Sequence, residues 1–107
     1  MNRETIYTER GAITPLQNGK AVWVRGVGNS MTPILKSKDI VFVEPVTDDM
    51  RLEKGDIVLV KVHGNVYLHK ITAVKGQQEF QISNNHGHVN GWAPRRQVYG
   101  IVTILPV

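Results

Sequence analysis

Asp56-Ile57-Val58-Leu59-Val60-Lys61-Val62-His63-Gly64-Asn65-Val66-Tyr67-Leu68-His69-Lys70-Ile71-Thr72-Ala73-Val74 decides the fold class of this chain. Residues 57–62 are rich in β-branched side chains, and residues 66–74 alternate apolar with polar positions. Both patterns fit the two-residue side-chain period of a pleated strand. His63-Gly64-Asn65 lies between them and predicts a tight turn joining two antiparallel strands.

Working outward, further strand signals fall at 21–24, 40–43, 80–82 and 98–105. They are separated by the breakers Gly26-Val27-Gly28, Gly55-Asp56 and Lys75-Gly76. The only helical piece expected is about one turn after Ser30. Many short strands punctuated by turns predict a mainly β fold, a small partly closed barrel or sandwich. Asp39-Ile40-Val41-Phe42-Val43 echoes Asp56-Ile57-Val58-Leu59-Val60. Each aspartate stands just before a strand, where its carboxylate can bond nearby amides and turn the chain. Residues 1–20 carry no strong periodicity and are expected to be an arm or tail, leaving 21–107 as the domain.

A chain of 107 residues supports one small domain and one core. It has no cysteine, which excludes disulfides and thiolate metal sites and fits a reducing cytosol. The net charge of +4 comes from scattered Lys and Arg, with Arg95-Arg96 the nearest thing to a cluster. No recognition helix accompanies it, so the charge reads as solvated surface, and a nucleic-acid partner is not expected. No apolar run approaches the ~20 residues of a membrane span, and the first residues lack a secretory leader's apolar core. A cytoplasmic protein without a membrane span is therefore expected. His86-x-His88 could place two imidazoles on one side of an extended segment, but no recognised zinc spacing surrounds them. A glycine-rich loop is the preferred reading, and no metal or cofactor is expected. Asn84-Asn85 and Asn90-Gly91 read first as turn formers. Trp92-Ala93-Pro94 is expected to pack that loop onto the barrel, and Trp23 to lie in the core.

The chemistry points to Gly28-Asn29-Ser30-Met31-Thr32-Pro33. A serine on such a turn can present its hydroxyl and its own amide in one direction, as a nucleophile with a backbone oxyanion hole requires. The plainer reading is that Ser30 caps the short turn 31–35. A serine nucleophile needs a base within hydrogen-bond reach. His69 and Lys70 stand side by side on one predicted strand, so their side chains leave opposite faces and only one can meet Ser30. Periodicity alone does not choose between them.

Ser30-Met31-Thr32-Pro33 resembles the Ser-Met-x-Pro signature of the S24/S26 serine peptidases, which include signal peptidases and the self-cleaving LexA and phage-repressor proteins. The resemblance extends through Gly55-Asp56-Ile57-Val58, His69-Lys70, Ile82-Ser83-Asn84-Asn85 and Tyr99-Gly100-Ile101-Val102, most of the chain. It implies a catalytic Ser30 and assigns the base by alignment. Bacterial enzymes carry Lys-Arg at this place, with lysine as base. Endoplasmic-reticulum and archaeal signal peptidases carry His-Arg, with histidine as base. His69-Lys70 thus resembles the histidine type, with Lys70 as the alternative base. Imidazole titrates near neutrality without the burial that a lysine base needs. The resemblance further implies oxyanion or supporting roles for Asn29, Met31, Asn84 and Asn90, and by analogy a phage or prophage setting.

Three departures qualify the resemblance. Ser37-Lys38-Asp39 lacks the usual glycine before its aspartate. Gly28 replaces a hydroxyl that some signal peptidases use for the oxyanion. Residues 84–90 offer no carboxylate to orient His69; Asn90 or Asn84 could orient it but not neutralise its charge. These departures predict a slow enzyme, or one whose catalysis has decayed. The reading is a serine endopeptidase with a Ser30–His69 dyad, cleaving an extended peptide or protein substrate. The chain has no Ala-Gly or Cys-Gly bond and no DNA-binding domain before it, so action in trans is expected. The alternative is a non-catalytic module of the same fold that binds a peptide or protein, or forms a homodimer through a strand edge.

Overall fold

The computed structural model describes residues 5–106. Its strands in chain order are β1 (Ile6–Tyr7), β2 (Val22–Arg25), β3 (Ile40–Pro45), β4 (Ile57–Val62), β5 (Asn65–Lys75), β6 (Glu79–Ser83), β7 (Val89–Pro94) and β8 (Val98–Ile104). They form one eight-stranded sheet in the order β1-β2-β3-β8-β4-β5-β6-β7. β1 runs parallel to β2, and all other neighbours are antiparallel.

β4 is the spine. Ile57 and Leu59 enter one cluster with Val24, Val41 and Val43, while Val58, Val60 and Val62 enter another with Ile71, Phe80 and Ile82. Successive side chains point to opposite faces, so a strand apolar at nearly every position must be covered on both. The sheet accordingly curls over two cores rather than the single one expected. The mainly β, sandwich-like architecture agrees with the sequence.

The hairpin at the centre forms as its residues require. His63 and Gly64 connect β4 to β5 with φ of 49° and 82°. Two consecutive left-handed residues match the right-handed twist of the flanking strands. The repeated aspartates also do the same work twice. Asp39 Oδ2 accepts the Lys36 N–H at 2.7 Å, and Asp56 Oδ2 accepts the Glu53 N–H at 2.8 Å. The residue before each is left-handed: Lys38 at φ 73° and Gly55 at φ 100°.

Within the segment 1–20, expected to be an arm or tail, residues 5–20 carry regular elements, and residues 1–4 lie outside the described residues. β1 pairs with β2, a 3₁₀ turn (Arg10–Ala12) follows, and then helix α1 (Ile13–Gln17). Ala12 and Leu16 are buried in the first core. A two-residue strand and a five-residue helix are too short to display a period. Pro15 also looks like a breaker, yet the first turn of a helix leaves its N–H groups without intrahelical partners, so a proline fits there. The helix ends as such ends commonly do. Gly19 is left-handed at φ 82°, its N–H meets Leu16 C=O, and the Lys20 N–H meets Pro15 C=O at 2.9 Å.

The expected helical turn after Ser30 is a tight turn short of a helix, closed by the Leu35 N–H on Met31 C=O at 3.0 Å. The segment expected as a loop around Trp92 is instead strand β7. Arg95, expected as solvated charge, is a structural staple. Its guanidinium donates to the carbonyls of Thr47, Met50 and Gln77, which ties the 46–52 loop to the turn after β5. Among the described residues no helix is long and apolar enough to cross a membrane.

Candidate active site

His69 lies mid-way along β5, where its backbone pairs with Val58 and its side chain is buried to 6% exposure. Ser30 sits on the turn between β2 and β3. That turn is anchored by Met31 and Leu35, both buried in the first core. It is also held by Asn29, whose Oδ1 accepts the Ser37 N–H and whose C=O accepts the Thr32 hydroxyl. These anchors bring Ser30 Oγ to 2.8 Å from His69 Nε2. Lys70 points the other way, as strand alternation demands, and its Nζ donates to Asn85 Oδ1 at 3.0 Å.

The other ring nitrogen, His69 Nδ1, is 2.6 Å from Asn90 Oδ1. An amide oxygen can only accept, so Nδ1 carries the proton and Nε2 offers its lone pair to Ser30. Asn90 reaches this position through a bulge. Ser83 pairs with Val89 and Ile82 with Gly91, so Asn90 is the extra residue of β7 opposite that step. Bulges of this kind re-aim one side chain out of the strand's ordinary alternation. Gly91, at φ 138°, supplies the backbone conformation beside it, and a Cβ there would meet His63 Nε2 at 2.9 Å. The Asn90-Gly91 pair, read as a turn, is therefore a bulge in a strand.

Burial holds the His69 pKa below its ordinary value of 6.5; the Asn90 hydrogen bond opposes this, and nearby His88 adds to it. The imidazole is thus neutral near pH 7, the form that can accept a proton. Tyr67, two residues away on the same face, stacks on the ring with centroids 4.7 Å apart. Among the described residues, no acceptor takes the Ser30 N–H.

The remaining predicted residues are placed as follows. Asn84 makes no hydrogen bond to His69 among the described residues; its Oδ1 accepts the N–H groups of His86 and His88 and so folds the loop before Asn90. Asn29 shapes the serine turn through its Oδ1 and its C=O, and Met31 shapes it by burial in the first core. His86 Nε2 lies 2.9 Å from Thr32 Oγ1 and 3.2 Å from Asn29 C=O, pinning the two loops together. Among the described residues no group of His, Asp or Glu could hold a metal.

Two residues of the site carry no clear signal in the sequence. Asn85 donates its backbone N–H to Ser30 C=O at 2.8 Å and its Nδ2 to Thr32 C=O at 3.0 Å, while accepting from Lys70. Its only signal is an Asn-Asn pair, which reads as a turn. Glu9 comes from the segment expected as an arm and lines a cleft of about 420 Å³ shared with Ser30 and His69.

A hydroxyl, a neutral imidazole aligned on it and an acceptor behind the imidazole form an arrangement suited to acyl transfer. No curated protein matches the chain. A family model described as Peptidase S24-like matches residues 3–101, nearly the whole length, and the chain belongs to that family.

Proposed function

We propose that the protein is a serine endopeptidase of the histidine type, acting in trans on an extended segment of a peptide or protein. The observation that carries this reading is the unbroken line Ser30 Oγ to His69 Nε2 at 2.8 Å and His69 Nδ1 to Asn90 Oδ1 at 2.6 Å. His69 Nε2 takes the hydroxyl proton as Ser30 Oγ bonds to the peptide carbonyl carbon. The carbonyl oxygen becomes an oxyanion facing backbone donors, the Ser30 N–H first among them. The imidazolium then protonates the leaving amine, the C–N bond breaks, and an acyl-Ser30 ester remains. Water, deprotonated by His69, hydrolyses that ester and restores the hydroxyl. Asn90 holds the ring and its tautomer throughout. Lys70 acts on the serine turn through Asn85 and takes no proton.

One observation favours a second reading. Behind His69 stands a neutral amide where a carboxylate would stabilise the imidazolium. A non-catalytic module that kept the fold and binds peptides, or pairs with a second copy through a strand edge, would tolerate that change. A fluorophosphonate probe separates the two between about pH 6 and 9. Under the peptidase reading, Ser30 Oγ displaces fluoride from phosphorus and the label is lost in Ser30→Ala. Absence of labelling across that range supports the module.

A further inference from the structure

We propose that Glu9 makes this cleft selective for a peptide carrying lysine or arginine beside the cleaved bond. This rests on the peptidase reading of Ser30 and His69. Glu9 stands at the start of the 3₁₀ turn and lines the same cleft as both residues. Its Oε2 accepts the Val27 N–H at 3.2 Å. A Cβ on Gly26 would lie 3.8 Å from that oxygen and 3.7 Å from Leu68, in ordinary contact with both, so Gly26 borders the carboxylate directly.

Among the described residues no cation pairs with the carboxylate. Among the described residues the only ion pair is Arg51 with Glu53, at 3.7 Å on the surface. Arg10, beside Glu9 in sequence, donates its Nη2 to Gly64 C=O instead. Lys36 lines the same cleft, but it is exposed and outside ion-pair distance of Glu9. Burial raises the Glu9 pKa, and the Val27 N–H only partly offsets this. A partly desolvated carboxylate with a single amide donor is stabilised by an arriving cation more than an exposed one would be.

The cleft's other wall selects the rest of the side chain. Met31, Leu35 and Leu68 are buried apolar residues lining the same cleft as Ser30 and Glu9. Lysine and arginine carry an apolar stem with a charged head, which matches such a channel along its length. A purely apolar side chain would cover Glu9 without pairing it, and an acidic one would be repelled.

The experiment uses the full chain and peptides that differ at one position beside the cleaved bond: lysine, arginine, norleucine or glutamate. Cleavage rates are measured, and in parallel the dissociation constants for the Ser30→Ala variant. The expected result is a preference for lysine or arginine over norleucine of about tenfold in kcat/KM or Kd, the scale of one desolvated charge pair. Glu9→Gln keeps an acceptor for Val27 and should bring the preference within about threefold. Glu9→Lys should shift it toward glutamate. A basic preference that survives Glu9→Gln, or wild-type cleavage indifferent to charge, overturns this inference and leaves the peptidase reading standing. Peptides neither cleaved by the wild type nor bound by Ser30→Ala overturn both. The ranked binding without cleavage supports the role of Glu9 and removes only the catalysis.

Discussion

His69 and Lys70 are neighbours in sequence and strangers in space. One faces Ser30 and the other clasps Asn85. Their substitutions should therefore differ in kind. His69→Ala removes the base and should lower kcat/KM by about 10²–10⁴-fold, whereas Lys70→Ala loosens the serine turn and should stay within about tenfold of wild type. A larger loss in Lys70→Ala, measured on any peptide that the wild type cleaves, would reassign the base. The pH profile follows from burial. Because the His69 pKa is held below 6.5, the rising limb of kcat/KM should have its midpoint below that value. Asn90→Asp places a carboxylate behind the ring, favours the imidazolium, and should move that limb to higher pH. The same depression carries a stability consequence. The unfolded chain binds the proton more tightly than the folded one, so the His69 contribution is fully present above about 6.5 and is lost as pH falls through the lower folded value. Urea midpoints measured down this range should fall more steeply for wild type than for His69→Gln. At this scale Ser30 and the two-base pair are legible in the sequence. Asn90 as the orienting group is legible only alongside Asn84. What separates them is a bulge, a property of strand register that no residue spacing displays.

The two strand entries form a matched pair with different residues at the strained position. Lys38 holds φ 73° where its counterpart is Gly55 at φ 100°. A side chain in the left-handed region costs about 1 kcal/mol or more, offset in part by the smaller entropy of its unfolded chain. Lys38→Gly should thus leave stability unchanged or raise it by roughly 0.5 kcal/mol, while Gly55→Ala should lower it by about 1 kcal/mol. A loss at Gly55→Ala with no loss at Lys38→Gly, read from denaturant midpoints, is the expected outcome. A loss at both positions would refute the equivalence. Elements with a clear period are legible in the sequence: β4, β5 and their turn stand where alternation puts them. β1 and α1 are not, because each is shorter than the window in which a period can be recognised. They are held by tertiary burial of Ala12 and Leu16 rather than by local preference. β7 is hidden by its glycine, proline and asparagine, residues that signal a loop until a neighbouring strand pairs with them.

Across the whole molecule, β3, β8 and α1 meet in one close contact at the first core. A Cβ on Gly100 of β8 would lie 2.5 Å from Val43 Cγ1 and 3.0 Å from both Glu44 C=O and Leu16 Cδ1. The glycine therefore lets β3, β8 and α1 approach. Gly100→Ala must push them apart and should cost about 1–3 kcal/mol, seen as a lower urea midpoint at unchanged slope. An unchanged midpoint would mean that this junction yields without strain. Removing residues 1–17 should be costlier still, since it strips Leu16 from the core together with the Glu9 wall of the cleft.

β7 is the outermost strand of the sheet, and its residue Asn90 steadies the imidazole. Among the described residues one margin of that strand has no neighbour within the sheet. Whatever is seated along it, whether a ligand's backbone or another molecule's border, rests one residue from the proposed base. Occupancy at this rim and the tuning of His69 are thereby mechanically joined.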